Sequence, residues 1–327
     1  MQKLEKILAT FYRIIRSKQN EMCKKIHFAR IPVWKIKFCT NSTINQVLRN
    51  NFSPFNVDNT AILNKLRQLQ PFTFIPDPGN CGDMLLSSAT LNFFDANNLQ
   101  YKIYDWKYFS KNSENIVYGG GGIWIPNYNS VWIKEFLPIF QKAKNVVILP
   151  SSFNNCPELV SVLDSRFILF CREKKSYDYL IAQKTPATII LDHDMAFRAT
   201  DQIISDHCEK INKETVDSLQ KTFPLLFGKE IKFMRTDSES TGNYTTDLDL
   251  SRVFGSSRPT RAQAIFGANL MLVTVSCFNI IHTDRLHVAI ASTLMGKTVY
   301  MHDNSYGKLS GVYQQSMSYR KNVHFIK

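Results

Sequence analysis

The chain has 327 residues, of which 44% are hydrophobic, 12% aromatic and only 20% charged. That length suits one large domain or two medium ones, and the apolar share excludes wholesale disorder. The low charge excludes a coiled coil, and 13 glycines and 12 prolines exclude a collagen-like or low-complexity chain.

The net charge of +13 is uneven. Residues 1–38 hold ten Lys or Arg against Glu5 and Glu21, so +8 of it belongs to an N-terminal arm. In that arm Leu4, Ile7, Leu8, Phe11, Ile14 and Ile15 recur at helical spacing, flanked by Lys3, Lys6, Arg13 and Arg16. A basic amphipathic helix of this kind suits an anionic membrane surface, or docks its apolar face on the rest of the protein. No nucleic-acid-binding motif accompanies the charge. The seven cysteines form no C-x-x-C pair, which argues against zinc and against a disulfide framework. No secretory signal opens the chain and no apolar run spans 18 residues, so a cytoplasmic location is expected.

From residue 70 onward, short apolar runs alternate with segments of helical spacing. The runs Phe72–Ile75, Tyr101–Tyr104, Asn115–Tyr118, Asn145–Leu149, Arg166–Cys171 and Ala187–Leu191 are predicted strands. Met84–Phe94, Ser130–Ala143 and Lys175–Ala182 are predicted helices. The polar stretch Arg198–Thr215 is expected to be a hinge. Beyond it come strands at Glu230–Met234, Phe278–His282 and Thr298–Met301, with a helix at Thr260–Val273. The pattern predicts an α/β fold of two Rossmann-like units around a cleft, with a basic N-terminal helical arm. The expected divisions are an arm at 1–45 and α/β units at 46–198 and 199–327.

Polar and glycine residues collect just after the predicted strands, where such folds place ligands. Gly79, Asn80, Gly82 and Asp83 follow the first strand. The glycines permit a tight turn, and Asp83 caps the next helix, serves chemistry, or does both. Gly119 to Gly122, with Gly120 and Gly121 at the centre, follow the third strand and either cradle an anion or mark a close chain crossing. They match neither G-x-G-x-x-G nor a Walker loop. Arg172 ends the fifth strand and suits a carboxylate or phosphate clamp, or a structural ion pair. Asp192 and Asp194 spell D-x-D, a weak metal signal. Thr283 or Asp284 is an expected N-cap that puts Arg285 and His287 in the first turn of a helix, where both converge on an anion. Lys308 offers another cation after the last strand.

Taken in order, the pieces Gly79–Asp83, Gly119–Gly122, Arg172-Glu173 with Ser176, Asp194 with Ala196, Thr283–His287 and Asn304–Lys308 resemble the polysaccharide pyruvyltransferase family over roughly residues 72–311. The resemblance implies a GT-B-like pair of α/β domains. It implies transfer of pyruvate from phosphoenolpyruvate to a sugar as a ketal, with phosphate released and no other cofactor. Arg172, Arg285, Leu286 and His287 are then the donor site, with Lys308 and Ser176 beside them. His287 is the expected acid or base, and Asp83 is expected to orient or deprotonate the acceptor hydroxyl. The scheme needs no metal. The acceptor is expected to be a sugar on a lipid or nucleotide carrier for a capsule or exopolysaccharide, and the arm suits a lipid-linked one. The competing enzymatic reading is a nucleotide-sugar glycosyltransferase of the same architecture.

Overall fold

The computed structural model describes residues 43–105, 114–126, 129–304 and 307–326. The predicted arm helix lies outside the described residues.

Two short helices, α1 (Ile44–Asn50) and α2 (Thr60–Leu69), lead into strand β1 (Phe72–Ile75). The two-residue β2 (Gly79–Asn80) opens helix α3 (Cys81–Ala96), followed by β3 (Tyr101–Ile103), β4 (Asn115–Tyr118) and β5 (Gly121–Trp124). Then come α4 (Asn129–Lys142), β6 (Asn145–Phe153), α5 (Pro157–Val160), β7 (Phe167–Cys171), α6 (Lys174–Ala182) and β8 (Thr188–Leu191). The remaining elements are α7 (Glu209–Thr222), β9 (Glu230–Phe233), β10 (Gly255–Ser256), α8 (Arg261–Ser276), β11 (Ile280–Thr283), α9 (Leu286–Leu294), β12 (Thr298–His302), α10 (Lys308–Val312) and β13 (Val323–Ile326).

The strands form two parallel sheets. The first runs β3-β1-β4-β6-β7-β8, with β5 also pairing β6, and the second runs β13-β12-β11-β9. All pairings inside both sheets are parallel. This follows from β-branched and aromatic strands separated by crossover helices, which is how parallel sheets are buried. A small antiparallel pair, β2 with β10, ties the start of α3 to the segment before α8.

Helices α3 and α8 lie against each other, and one apolar cluster joins Met84, Leu85 and Ala89 of α3 to Phe266 and Leu270 of α8 and to Phe233 and Ile281 beneath. A second cluster fills one side of the first sheet with Tyr118, Trp124, Phe136 and Phe140. Helix α1 is fastened to the later half of the chain. Its first two backbone N–H groups donate to the Glu209 carboxylate at 2.8 and 2.9 Å, a favourable place for a negative charge.

Two sequence expectations change. The stretch Arg198–Thr215 is not an open hinge. It consists of 3₁₀ turns at Met195–Arg198, Asp201–Ile203 and Asp206–Cys208, followed by the first half of α7. Helix α7 turns a short apolar stripe of Ile211, Val216 and Leu219 to the core, with the polar Asn212 and Thr215 buried among them, which dilutes its apolar signal. The glycine run is not a loop throughout, because Gly121 and Gly122 already belong to β5. Among the described residues, no helix is long and apolar enough to cross a membrane.

Candidate functional site

A cavity of about 590 Å³ lies beyond the carboxyl ends of both sheets. Asp77 follows β1, Arg172 follows β7, Arg235 follows β9, Arg285 follows β11 and Lys308 follows β12, and all five line it. This is the edge where parallel sheets expose helix starts and loops to a ligand. Arg252, Leu286 and His287 complete the basic and apolar wall, and Asp77, Asp83, Asp237 and Glu239 supply the carboxylates.

His287 sits in the first turn of α9, whose N-cap is Arg285 rather than Thr283 or Asp284. Those two residues serve the second sheet instead. The Thr283 hydroxyl donates to the Phe233 carbonyl at 2.7 Å, and Asp284 accepts the Arg235 N–H at 2.7 Å. The imidazole Nε2 lies 3.5 Å from Asp194 and, among the described residues, makes no hydrogen bond. On the other side of the ring is Gly82. A methyl there would sit 2.7 Å from Nδ1, so the glycine leaves the imidazole its place.

Arg172 is almost wholly buried. Its Nη1 donates to Asp194 at 2.8 Å and its Nε to Ser152 at 2.9 Å. Asp194 also accepts the Ala196 N–H at 2.9 Å. Burial alone would raise the pKa of Asp194, but His287, Arg172 and that N–H hold it well below the usual carboxylate range. Asp194 therefore stands behind both Arg172 and His287 as a fixed negative charge. Asp192 is bound by Arg198 at 2.7 Å. Each aspartate of the D-x-D triplet thus has its own arginine, which leaves the metal reading no support in the geometry.

Asp83 takes part in the cap of α3 and lines the cavity. The helix begins three residues earlier than the sequence suggested, at Cys81, with Asn80 as N-cap and Asp83 as the third residue of a capping box. Asp83 accepts the Asn80 N–H at 2.7 Å, and Asn80 accepts the Gly82 N–H at 2.8 Å. Asp83 also lines the cavity, where burial raises its pKa against the pull of His287. Gly79 and Asn80 line the cavity beside it.

Of the four glycines, Gly122 is the one that lines the cavity. Gly120 lies against the Pro150 carbonyl and Gly121 against the Asp77 carboxylate, so both serve a close chain crossing. Ser176 does not line the cavity. Its hydroxyl accepts the Phe153 N–H at 2.7 Å and donates to Glu173, which places it behind the Arg172 wall.

Several residues escaped the sequence reading, Arg252 of the cavity wall among them. Arg235 follows the predicted strand Glu230–Met234 directly, and the rule that singled out Arg172 would have found it. Asp237, Glu239 and Asp249 come from the irregular stretch between β9 and Leu250 and carry no local signal. They pair with the cations. Asp249 holds Arg285 through two bonds, and Glu239 contacts both Arg235 and Lys308. Burial lowers the pKa of Lys308 to about 8, with Arg172 and Arg235 adding to the effect and Glu239 opposing it. Asp77 was quoted only as part of a loop. It is buried beneath Tyr118, whose hydroxyl donates to it, and burial with Asp83 nearby raises its pKa well above the usual range. Among the described residues, no group of three His, Cys, Asp or Glu is placed to hold a metal ion.

The arrangement sets Arg172, Arg235, Arg285 and Lys308 around one cavity beside an imidazole and several carboxylates, a set whose chemistry suits a small anion. Among curated proteins, none matches the chain. A solved structure of a functionally uncharacterised protein from Klebsiella pneumoniae subsp. pneumoniae NTUH-K2044 is similar at 28% identity and a TM-score of 0.66, covering 81% of this chain and 96% of that one. Residues 80–306 match the family model for polysaccharide pyruvyl transferase, from the Asn80 cap through Arg172 and His287. That match spans more than half of the sequence and most of the cavity wall, and by it the chain belongs to the polysaccharide pyruvyl transferase family.

Proposed function

We propose that the protein transfers the pyruvyl group of phosphoenolpyruvate to two hydroxyls of one sugar residue in a surface-polysaccharide precursor, forming a cyclic ketal and releasing phosphate. The observation that carries this reading is the convergence of Arg172, Arg285, Lys308 and His287 on one cavity. The donor has a carboxylate and a phosphate on adjacent atoms, and guanidiniums suit both by paired hydrogen bonds.

In this scheme a proton is delivered to C3 of the donor, and C2 becomes oxocarbenium-like. The first sugar hydroxyl adds to C2 and loses its proton. Phosphate then leaves with the C2–O bond electrons, and the second hydroxyl adds to C2, closing the ketal and losing its proton. One of the two released protons replaces the one consumed at C3, and the other goes to the phosphate. His287 is the group assigned to the C3 proton, because an imidazole is able both to give and to take a proton. Asp83 is assigned to the attacking hydroxyl. Cations around the leaving phosphate stabilise charge as it develops.

We read the two sheets as two units, 46–198 and 199–327, that contribute opposite walls of the cavity. The acceptor is a lipid-linked sugar presented at the cytoplasmic membrane face, with the arm at residues 1–38 adding an anionic-surface contact. Sedimentation with anionic vesicles checks the arm. The full chain pellets, deletion of residues 1–38 weakens pelleting, and equal pelleting of both rejects this part. The main test is incubation of the protein with phosphoenolpyruvate and a panel of galactose-, mannose- and glucuronate-containing acceptors. Mass spectrometry is expected to find a pyruvyl adduct with one phosphate released per adduct. Release of a nucleoside diphosphate from a sugar nucleotide instead would favour a glycosyltransferase.

A further inference from the structure

Every nitrogen of the Arg285 guanidinium already holds a carboxylate. Nε and Nη2 donate to Asp249 at 3.0 and 2.6 Å, and Nη1 lies 2.7 Å from Asp237. Asp237 is also 2.9 Å from Nε of Arg235. One carboxylate therefore bridges two guanidiniums, and all three residues line the cavity.

The two carboxylates on Arg285 are held differently. The Asp249 side chain is only 7% exposed and accepts both the N–H and the hydroxyl of Thr236, at 2.8 and 3.0 Å. It is part of the frame. The Asp237 side chain is 27% exposed and sits in the stretch without helix or strand between β9 and Leu250. Apart from the guanidiniums, its carboxylate accepts one bond, from the Glu239 N–H of its own turn at 3.2 Å. Moving it toward solvent breaks few bonds but exposes two guanidinium faces that need an anion.

We propose that Asp237 is a displaceable internal anion and that Arg235 is a further donor-binding arginine beside Arg172 and Arg285: the anionic donor takes the position of the Asp237 carboxylate on Arg235 and Arg285 while Asp237 moves out to solvent. The reading of the cavity as a phosphoenolpyruvate site underlies the word donor here, but the exchange itself requires only a small anion. A neighbouring charge of this kind sets affinity by competition, since the ligand must first replace it.

The experiment uses the full chain and two probes, inorganic phosphate and phosphoenolpyruvate, with binding measured by calorimetry at fixed salt. Asp237→Asn is expected to bind inorganic phosphate roughly tenfold more tightly than the unaltered protein, the order of one lost competing charge contact. Adding Arg235→Gln is expected to erase that gain. Hydrogen exchange on the unaltered protein provides a readout independent of any variant's folding. Saturating phosphate is expected to speed exchange at the Glu239 amide, which donates to the Asp237 carboxylate. Unchanged or slower exchange there overturns the proposal, as does an Asp237→Asn variant that folds normally and binds phosphate no better. If phosphate behaves as expected but no pyruvyl transfer is found, the exchange stands and the donor assignment fails. If transfer occurs without the exchange, the inference alone fails.

Discussion

His287 is confined by close contacts on two sides of its ring. Asp194 lies 3.5 Å from Nε2, and Gly82 lies against the face near Nδ1. A Gly82→Ala methyl would stand 2.7 Å from Nδ1 and 2.8 Å from the His287 Cβ, so the ring must move. Displacement of a reacting group by about 1 Å costs on the order of 10²-fold in rate. Gly82→Ala is therefore expected to lower turnover by about that factor while circular dichroism stays unchanged. His287→Ala, which removes the proton carrier itself, is expected to cost about 10²–10⁴-fold. Steady-state rates with the pyruvylation assay check both, and near-normal turnover of His287→Ala would remove it from the mechanism. The placement of His287 was legible in the sequence, because Arg285 and His287 follow a predicted strand. Its partner Gly82 was legible only as a flexible turn residue, since nothing local says which ring a missing Cβ makes room for.

At the level of elements, the site depends on how α3 meets α8. Both helices are buried along most of their lengths, so their sequences are apolar nearly all round. At Gly267 of α8 the two helices approach closely. A methyl there would lie 2.5 Å from Cβ and 2.6 Å from Cγ of Met84. Gly267→Ala is expected to destabilise the protein by about 1–3 kcal/mol, the usual cost of overpacking. The denaturant midpoint reads this, and an unchanged midpoint would show that the helices have room to separate. Helix α3 itself was readable as an element, but its start was not. The apolar spacing begins at Met84, whereas the reciprocal bonds of Asn80 and Asp83 begin the helix at Cys81. Strand β5 was hidden for a different reason. Two glycines provide no strand propensity, and β5 exists because it pairs with the long β6.

For the molecule as a whole, the charge balance of the cavity predicts its pH response. Burial brings Lys308 down to about 8 from the ordinary lysine range. Below that pH the ammonium is charged in the folded protein, and above it the folded state gives up the proton while the unfolded chain keeps it. Two effects of opposite sign follow. The donor KM is expected to rise above pH 8, because a cation is lost while the donor phosphate stays ionised. This group's contribution to stability is expected to increase over the same range, because the unfolded chain then binds more protons. Kinetics and thermal melts from pH 7 to pH 9.5 test the pair. In Lys308→Met the rise in KM above pH 8 should be absent, and a rise that persists would assign the titration to another group.

The sequence by itself determined the alternation of strands and helices and the strand ends that carry Arg172, Arg285, His287 and Lys308. Both depend on local spacing, on apolar runs long enough to bury and on the polar residues that must follow them. Only the tertiary structure decided which charges neutralise one another. Arg172 pairs with Asp194, 22 residues on, and Arg285 with Asp249, 36 residues back. Ion pairs across such separations are set by which strand ends each sheet brings side by side, and no periodicity along the chain records that.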